Sequence, residues 1–467
     1  MFTQYRYAHC VFLATLIAAG AALGCSGTGF PASGDSGLTG DLFPSGSSAG
    51  PGSSVDGPID GAIDPVPAEP PADGDSDGDG AADGSDDADG SDDGIQSGTL
   101  TAGSFDDNLN FDVFKNFVNG LLQQDVDGNL PDISVSARAI ISVKNGQGEP
   151  VPDAHIVVAS AGAATQQAQS LLETVTRADG RAVFLGGFDA PDASGDFTVV
   201  ASTADGALEV TGQFNFNSEA WELTLADAAR TAPTQLDLAF VVDATGSMGD
   251  ELEYLKAEID SIAAGVADLF PEVDQRYALI VYRDDGDTYV TRSFDFTNVL
   301  SEFQSDLGAQ RADGGGDYPE AMHLALEAAE GLAWRQTGTA RVLFLVADAP
   351  PHNEFAERTL NAIGGLRRAG VAIYPVAASG VAVRAEVCMR AAALSTLSQY
   401  LFLTDDSGLG NPHAEPHIPC YHVQRLDQLM IRMISSELAG EALPPASEDI
   451  IRTVGNPVNG VCMPEAP

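Results

Sequence analysis

Apolar residues in the second half of the chain follow two rhythms. Between residues 235 and 440, runs that are apolar at nearly every position alternate with stretches apolar at every third or fourth. LDLAFVVD (236–243), RYALIVYRD (276–284), ARVLFLVAD (340–348), VAIYPVAA (371–378) and YLFLTD (400–405) are of the first kind. They predict strands with both faces buried. GDELEYLKAEIDSIAAGVADLF, NVLSEFQSDLGAQ and PEAMHLALEAAEGLAW have helical spacing, and further helices are predicted near 355–369, 382–395 and over VQRLDQLMIRMISSEL. Pro319 sits where a first helical turn tolerates proline. TYVTRSFDF supplies one more strand. Strands and helices that alternate in this way predict an α/β fold, with a mostly parallel central sheet covered on both faces. Ligands of such sheets bind beyond the carboxyl ends of the strands.

Residues 99–232 have a different rhythm. FDVFKNFVNGLL (111–122) predicts a helix. After it, apolar and polar residues alternate through ISVSARAIISVKNGQGEPVPDAHIVVASA, LETVTRADGRAVFLGGF, FTVVAST, ALEVTGQFNFN and WELTLAD. Period two with NGQG and ADGR punctuation predicts short half-buried strands and tight turns. GEPVPDAHIVV and TRADGRAVF resemble the carboxypeptidase-regulatory-like or transthyretin-like β-sandwich. The segment carries no catalytic constellation and reads as an accessory domain.

The first quarter has neither rhythm. After Arg6 the next basic side chain is Lys115, and this imbalance feeds a net charge of −46 over 467 residues. Such a charge excludes nucleic-acid binding, which needs clustered Lys and Arg. CVFLATLIAAGAALG (10–24) is apolar but too short to span a membrane, and it fits a signal-peptide core, giving a signal over residues 1–24. It ends in ALGCSG, which resembles the lipobox of bacterial lipoproteins, with Ala22 where that family prefers Leu. The resemblance implies lipidation of Cys25, a secreted protein of the bacterial cell envelope, and membrane contact through the lipid anchor only.

Residues 25–98 are rich in Ser, Gly, Pro and Asp, contain no Lys or Arg, and predict a disordered, extended linker. Within it, DSDGDGAADGSD (75–86) resembles the calcium repeats of thrombospondin type 3. It lacks their cysteines and their recurrence, and it reads as a solvated acidic spacer. Residues 441–467 form a C-terminal tail without assignment. Export permits a disulfide among Cys388, Cys420 and Cys462; the Cys388–Cys420 pair is the first to test because both lie in the α/β segment, and Cys462 is available between chains.

The chemistry gathers at three strand or loop ends. Asp243 closes LDLAFVVD, with Thr245 and Ser247 at alternate positions after it. Asp348 closes ARVLFLVAD. Asp317 follows Gly314–Gly316 in GGGDYPEA, where glycines allow close backbone approach. All these donors are oxygen. That selects a hard divalent cation, Mg²⁺ above all, or Mn²⁺ or Ca²⁺.

DATGS matches the D-x-[ST]-x-S signature of the von Willebrand factor type A family. The order YRDDGD, GGGDYPEA, VADAPPH is similar to a bacterial branch of it over about 200 residues. The resemblance implies a Rossmann-like domain over 235–440 with a metal-ion-dependent adhesion site. Asp243, Thr245 and Ser247 match its first element and Asp348 its third. Asp317 stands where many members carry Thr; it either ligates the metal or caps the following helix. The implied function is binding of a protein partner through or near the metal, or else a metal that only stabilises the fold.

Other polar clusters have plainer readings. Asp284 and Asp285 form a turn before a hairpin, and His352 is a lone surface histidine. PHAEPHIPCYH (412–422) has His and Cys at spacings that suit zinc, but two prolines break it, and it reads as a structural loop. No enzyme signature survives inspection. Ala244 separates Asp243 from Thr245, unlike an aspartic protease, GSMG is no nucleophile elbow, and there is no phosphate-binding loop. The chain reads as a non-enzyme.

Overall fold

A computed structural model describes residues 97–123, 137–161, 170–191, 194–249, 251–316, 318–408, 413 and 416–464. All lie in the larger of two units into which the chain divides, Ala88–Pro467. The signal, Cys25, the acidic run 75–86, Asp317 and residues 409–412 fall outside the described residues.

The chain opens with β1 (Thr101–Phe105) and α1 (Phe111–Leu122). Seven strands follow: β2 (Arg138–Asn145), β3 (His155–Ser160), β4 (Leu172–Val175), β5 (Arg181–Leu185), then after the single turn α2 (Gly186–Asp189), β6 (Phe197–Ser202), β7 (Glu209–Phe214) and β8 (Trp221–Leu225). They form two small sheets, β5-β2-β8 and β4-β3-β6-β7. Inward residues at period two, among them Ile141, Ile156, Phe184, Phe197 and Trp221, share one core between the sheets.

The alternating segment then runs β9 (Gln235–Asp243), α3 (Leu252–Leu269), β10 (Asp274–Tyr282), β11 (Thr291–Thr297), α4 (Leu300–Gly308), α5 (Met322–Glu330), β12 (Thr339–Ala347), α6 (Ala356–Arg368), β13 (Ala372–Ala377), α7 (Val383–Ser395), β14 (Tyr400–Thr404), β15 (Tyr421–Arg425) and α8 (Leu426–Ala439). The tail adds β16 (Arg452–Val454) and a hairpin of β17 (Pro457–Val458) and β18 (Val461–Cys462). One sheet collects nine strands in the order β11-β10-β9-β12-β13-β14-β1-β15-β16. Its central five, β10 to β14 in that order, are parallel, and the flanking strands run antiparallel. The α/β fold is therefore as expected. Side chains of α3, α4 and α8 cover one face and those of α5, α6 and α7 the other. Such coverage explains why β12 is buried at all nine positions.

Several expectations change. The segment from 99 was expected in the small β domain, but Thr101–Phe105 pairs with Tyr400–Thr404 and with Val423–Arg425 in the large sheet. TAGSF is built from small residues and offers no periodicity to show this. Its pairing also takes Val423–Arg425 out of the expected last helix, which starts at Leu426. The fifth helix starts at Met322 with Ala321 at its cap, because Glu320 is held in a β-bridge to Pro351. Pro319 therefore lies before the helix rather than in its first turn. The disulfide joins Cys420 to Cys462 and fastens the tail to the sheet, while Cys388 is free and buried.

The small sheets are docked on the α/β layer by buried ion pairs. Arg177 holds Glu437, Arg367 holds Asp189, and Arg341 Nη2 lies 2.7 Å from Asp153 Oδ1. Glu437 also accepts the Tyr374 hydroxyl at 2.5 Å.

Candidate metal site

β9 delivers Asp243 to the carboxyl end of the parallel strands. Val242 of β9 is in register with Val346 of β12, so Asp348 emerges just beyond its neighbour's end. Asp243 is fully buried and Asp348 nearly so. The chain then turns out of the sheet. Thr245 donates both its backbone N–H (2.9 Å) and its hydroxyl (2.7 Å) to Asp243 Oδ1. Its Oγ1 lies 3.1 Å from Ser247 Oγ. Asp243, Thr245 and Ser247 thus form a ladder of oxygens from a buried carboxylate to an exposed hydroxyl.

A glycine loop runs beside this ladder. Asp313 N–H donates to Ala244 O (3.1 Å) and Gly246 N–H to Gly314 O (3.0 Å). Gly314 and Gly315 adopt φ of +77° and +73°. A side chain at Gly314 would also collide with the Asp287 carboxylate. Asp287 Oδ2 accepts N–H bonds from Gly315 (2.9 Å) and Asp284 (3.1 Å), so it ties the loop to the β10–β11 turn. Asp317, next in this loop, lies outside the described residues.

The sequence reading missed Glu320. It is buried, its N–H donates to Pro350 O at 3.0 Å, and its Oε2 has no hydrogen-bond partner among the described residues. Asp243 Oδ2 is likewise buried without an ordinary hydrogen bond, with the buried Tyr282 hydroxyl close to the carboxylate. Isolated buried carboxylates are costly when ionised. Burial, then the charge of Asp348, pushes the Asp243 carboxyl up to about 7. Burial, then Asp243, Asp284, Asp348 and Asp287, pushes Glu320 up to about 9. The only sequence clue to Glu320 is its place three residues after Asp317, and a Glu before an apolar helix more often reads as a first-turn charge.

Among the described residues, no three His, Cys, Asp or Glu side chains gather closely enough to hold an ion alone. Among the described residues, the hydroxyls of Thr245 and Ser247 are the oxygens placed to add to the carboxylates. Their all-oxygen chemistry and the two carboxylate oxygens without an ordinary hydrogen bond fit a hard divalent cation.

The remaining polar clusters separate. Asp284 lies in a hairpin turn as expected, but its Oδ1 is 2.7 Å from His352 Nε2, so His352 is partnered rather than alone. The histidines of 412–422 disperse. His413 lies between Glu251 (2.9 Å) and Asp405 (2.8 Å), His417 contacts Glu386, and His422 contacts Thr453. With Cys420 in the disulfide, the zinc reading has no support.

The family model of the von Willebrand factor A domain matches residues 237–408. These residues form a von Willebrand factor A domain. An alpha-protein kinase of Dictyostelium discoideum, vwkA, is 32% identical over 132 residues, which are 28% of this chain and 21% of the kinase. A putative ariadne-like RING finger protein of Acanthamoeba polyphaga mimivirus is 35% identical over 119 residues, 26% of this chain and 11% of that protein. The chain thus spans only a small part of the length of these relatives. Among solved structures, a conserved hypothetical protein, BatB of Bacteroides thetaiotaomicron, is 13% identical and covers 44% of this chain and 99% of its own, with a TM-score of 0.32.

Proposed function

We propose that the von Willebrand factor A domain binds a protein partner through or near a divalent metal. Asp243, Thr245, Ser247 and Asp348 would hold the ion, with Mg²⁺ preferred to Mn²⁺ or Ca²⁺. Bound there, the ion would supply positive charge to the buried acids. Glu320 stands beside the same acids, and Asp317 is a further ligand proposed on sequence grounds. The observation that carries this reading is Asp243: a fully buried carboxylate with one oxygen held by Thr245, the other without an ordinary hydrogen bond, and, among the described residues, no cation beside it but only the neutral Tyr282 hydroxyl and further acids.

Domains of this family commonly mediate protein interactions. Two features favour a partner over a metal that only stabilises the fold. Ser247 ends the ladder in solvent, and Tyr318, whose hydroxyl donates to Asp348 O at 2.9 Å, exposes 42% of its surface. An exposed aromatic at the rim of a polar site is a common anchor of interfaces. We read the whole chain as a binding protein rather than an enzyme, secreted to a bacterial cell envelope and held at a membrane through lipid on Cys25. Among the described residues, no helix is long and apolar enough to cross a membrane.

The test is the melting temperature of the full chain in EDTA and after adding Mg²⁺, Mn²⁺ or Ca²⁺, for wild type and Asp243→Ala. A metal-dependent rise in wild type alone supports the site. Affinity capture of envelope proteins in Mg²⁺ against EDTA then tests the partner.

A further inference from the structure

A second site lies far from the metal ladder in the fold, where the C-terminal segment crosses the flank of the large sheet. A cavity of about 430 Å³ opens between Phe105 at the end of β1, Tyr421 at the start of β15, Arg432 on α8, and the tail residues Leu443, Pro445 and Pro457. Its size falls in the range of small-molecule sites, about 300–1,000 Å³. Cys420 of the Cys420–Cys462 disulfide lines one side of it.

Arg432 distinguishes this cavity. Arg432 is half-buried; the buried arginines Arg177, Arg341, Arg367 and Arg390 each hold a carboxylate, and Arg283, also buried, lies 3.4 Å from Asp313. Arg432 instead donates from Nη1 to Leu443 O (3.1 Å) and from Nη2 to Gln424 Oε1 (3.0 Å), both neutral acceptors. Its Nε is buried and has no acceptor among the described residues. Burial pushes this guanidinium down to about 10 against the pull of Tyr374 and Asp449. A fork of five donors with only neutral acceptors is matched to a carboxylate.

Two further groups narrow the ligand. His422 is bonded through Nδ1 to Thr453 at 2.9 Å, and burial and Arg432 hold it below the usual histidine range, so it adds no positive charge. Asp106 also lines the cavity, its Oδ1 committed to the N–H groups of Asn108 (2.8 Å) and Leu109 (3.1 Å). Its carboxyl, pushed up by burial, offers no cation to a second anionic group on the ligand. Phe105, Leu443, Pro445 and Pro457 ask for an apolar body.

We propose that this cavity binds a small organic acid with one carboxylate, which pairs with Arg432, and an apolar body, which packs under the tail. This is a binding site independent of the metal.

The experiment is calorimetric titration of the full oxidised chain with phenylacetate, benzoate and hexanoate, and with their amides. EDTA is present throughout, so that carboxylate binding to a metal cannot contribute. The acids should bind at least about tenfold more tightly than the amides, since a charge-assisted pair is lost in the amide. Arg432→Gln should weaken the acids by a similar factor. Leu443→Trp fills the cavity, leaves the backbone carbonyl that Arg432 uses, and should abolish binding; it decides alone if Arg432→Gln does not fold. No binding of any acid, equal binding of acid and amide, or acid binding indifferent to the substitutions would each overturn the proposal.

Discussion

The Thr245 hydroxyl donates to Asp243 Oδ1 at 2.7 Å and meets Ser247 Oγ at 3.1 Å on its other side. With the Thr245 backbone N–H on the same oxygen at 2.9 Å, this hydroxyl helps fix which Asp243 oxygen stays open and links it to the exposed end of the ladder. Thr245→Val keeps the shape and removes the bond. Thr245→Ser keeps the bond. The valine variant should lose about 1–3 kcal/mol of metal-dependent stabilisation, the scale of one hydrogen bond to a charged group. The serine variant should retain most of it. Melting curves with and without Mg²⁺ read the difference.

Metal-free stability should depend on pH in a defined sense. The folded protein holds the Asp243 proton up to about pH 7, whereas an unfolded aspartate releases it near the ordinary 3.8. The folded state thus binds more protons between these values, and stability falls as pH rises through that window. Divalent metal replaces the proton, so its presence should flatten or reverse this slope. Denaturant titrations from pH 4 to pH 8 in EDTA and in Mg²⁺ check the sign.

Glu320 makes a separable case. Burial and its acidic neighbours keep it protonated at pH 7, with the carboxyl at about 9. Glu320→Gln mimics that neutral form. The variant should therefore melt close to wild type in EDTA at pH 7 and gain less on adding metal. A large loss in EDTA would show that Glu320 is ionised and structurally paired.

The α/β fold and the ladder were legible because their signals are local. A strand buried on both faces is apolar throughout, and Asp243, Thr245 and Ser247 lie within five positions. What stayed hidden depended on contacts distant in sequence. Thr101–Phe105 crosses to residues 300 positions away, and its small side chains match any sheet that has room for them. Glu320 looks like an ordinary first-turn acid until its bridge to Pro351 delays the helix. Cys420 chose Cys462 over Cys388 because the tail returns along β15, while Cys388 faces the core on α7.

The docking of the small sheets rests on buried charge. Arg177 donates to Glu437 and to the carbonyls of Thr396 and Leu397. Arg177→Met leaves Glu437 buried without its cation and should cost about 3–5 kcal/mol. The double variant Arg177→Met/Glu437→Gln should cost less than the single arginine change, because no stranded charge remains. Calorimetry should also show the single variant unfolding in two resolved transitions, as the small sheets separate from the α/β layer.

The disulfide closes a span of 42 residues. Cys462→Ser should destabilise the oxidised protein by about 4 kcal/mol on the chain-entropy scale. Protease sensitivity should appear first in residues 441–464. Reduction of wild type should reproduce both effects.

The central claim is that Asp243 anchors a metal. The most direct measurement is titration of the full chain with Mn²⁺, followed by the loss of the free-ion electron paramagnetic resonance signal, for wild type and for Asp243→Asn. Wild type should bind one ion, displaced by excess Mg²⁺, and the variant none. Equal binding by both proteins, or by neither, would contradict it.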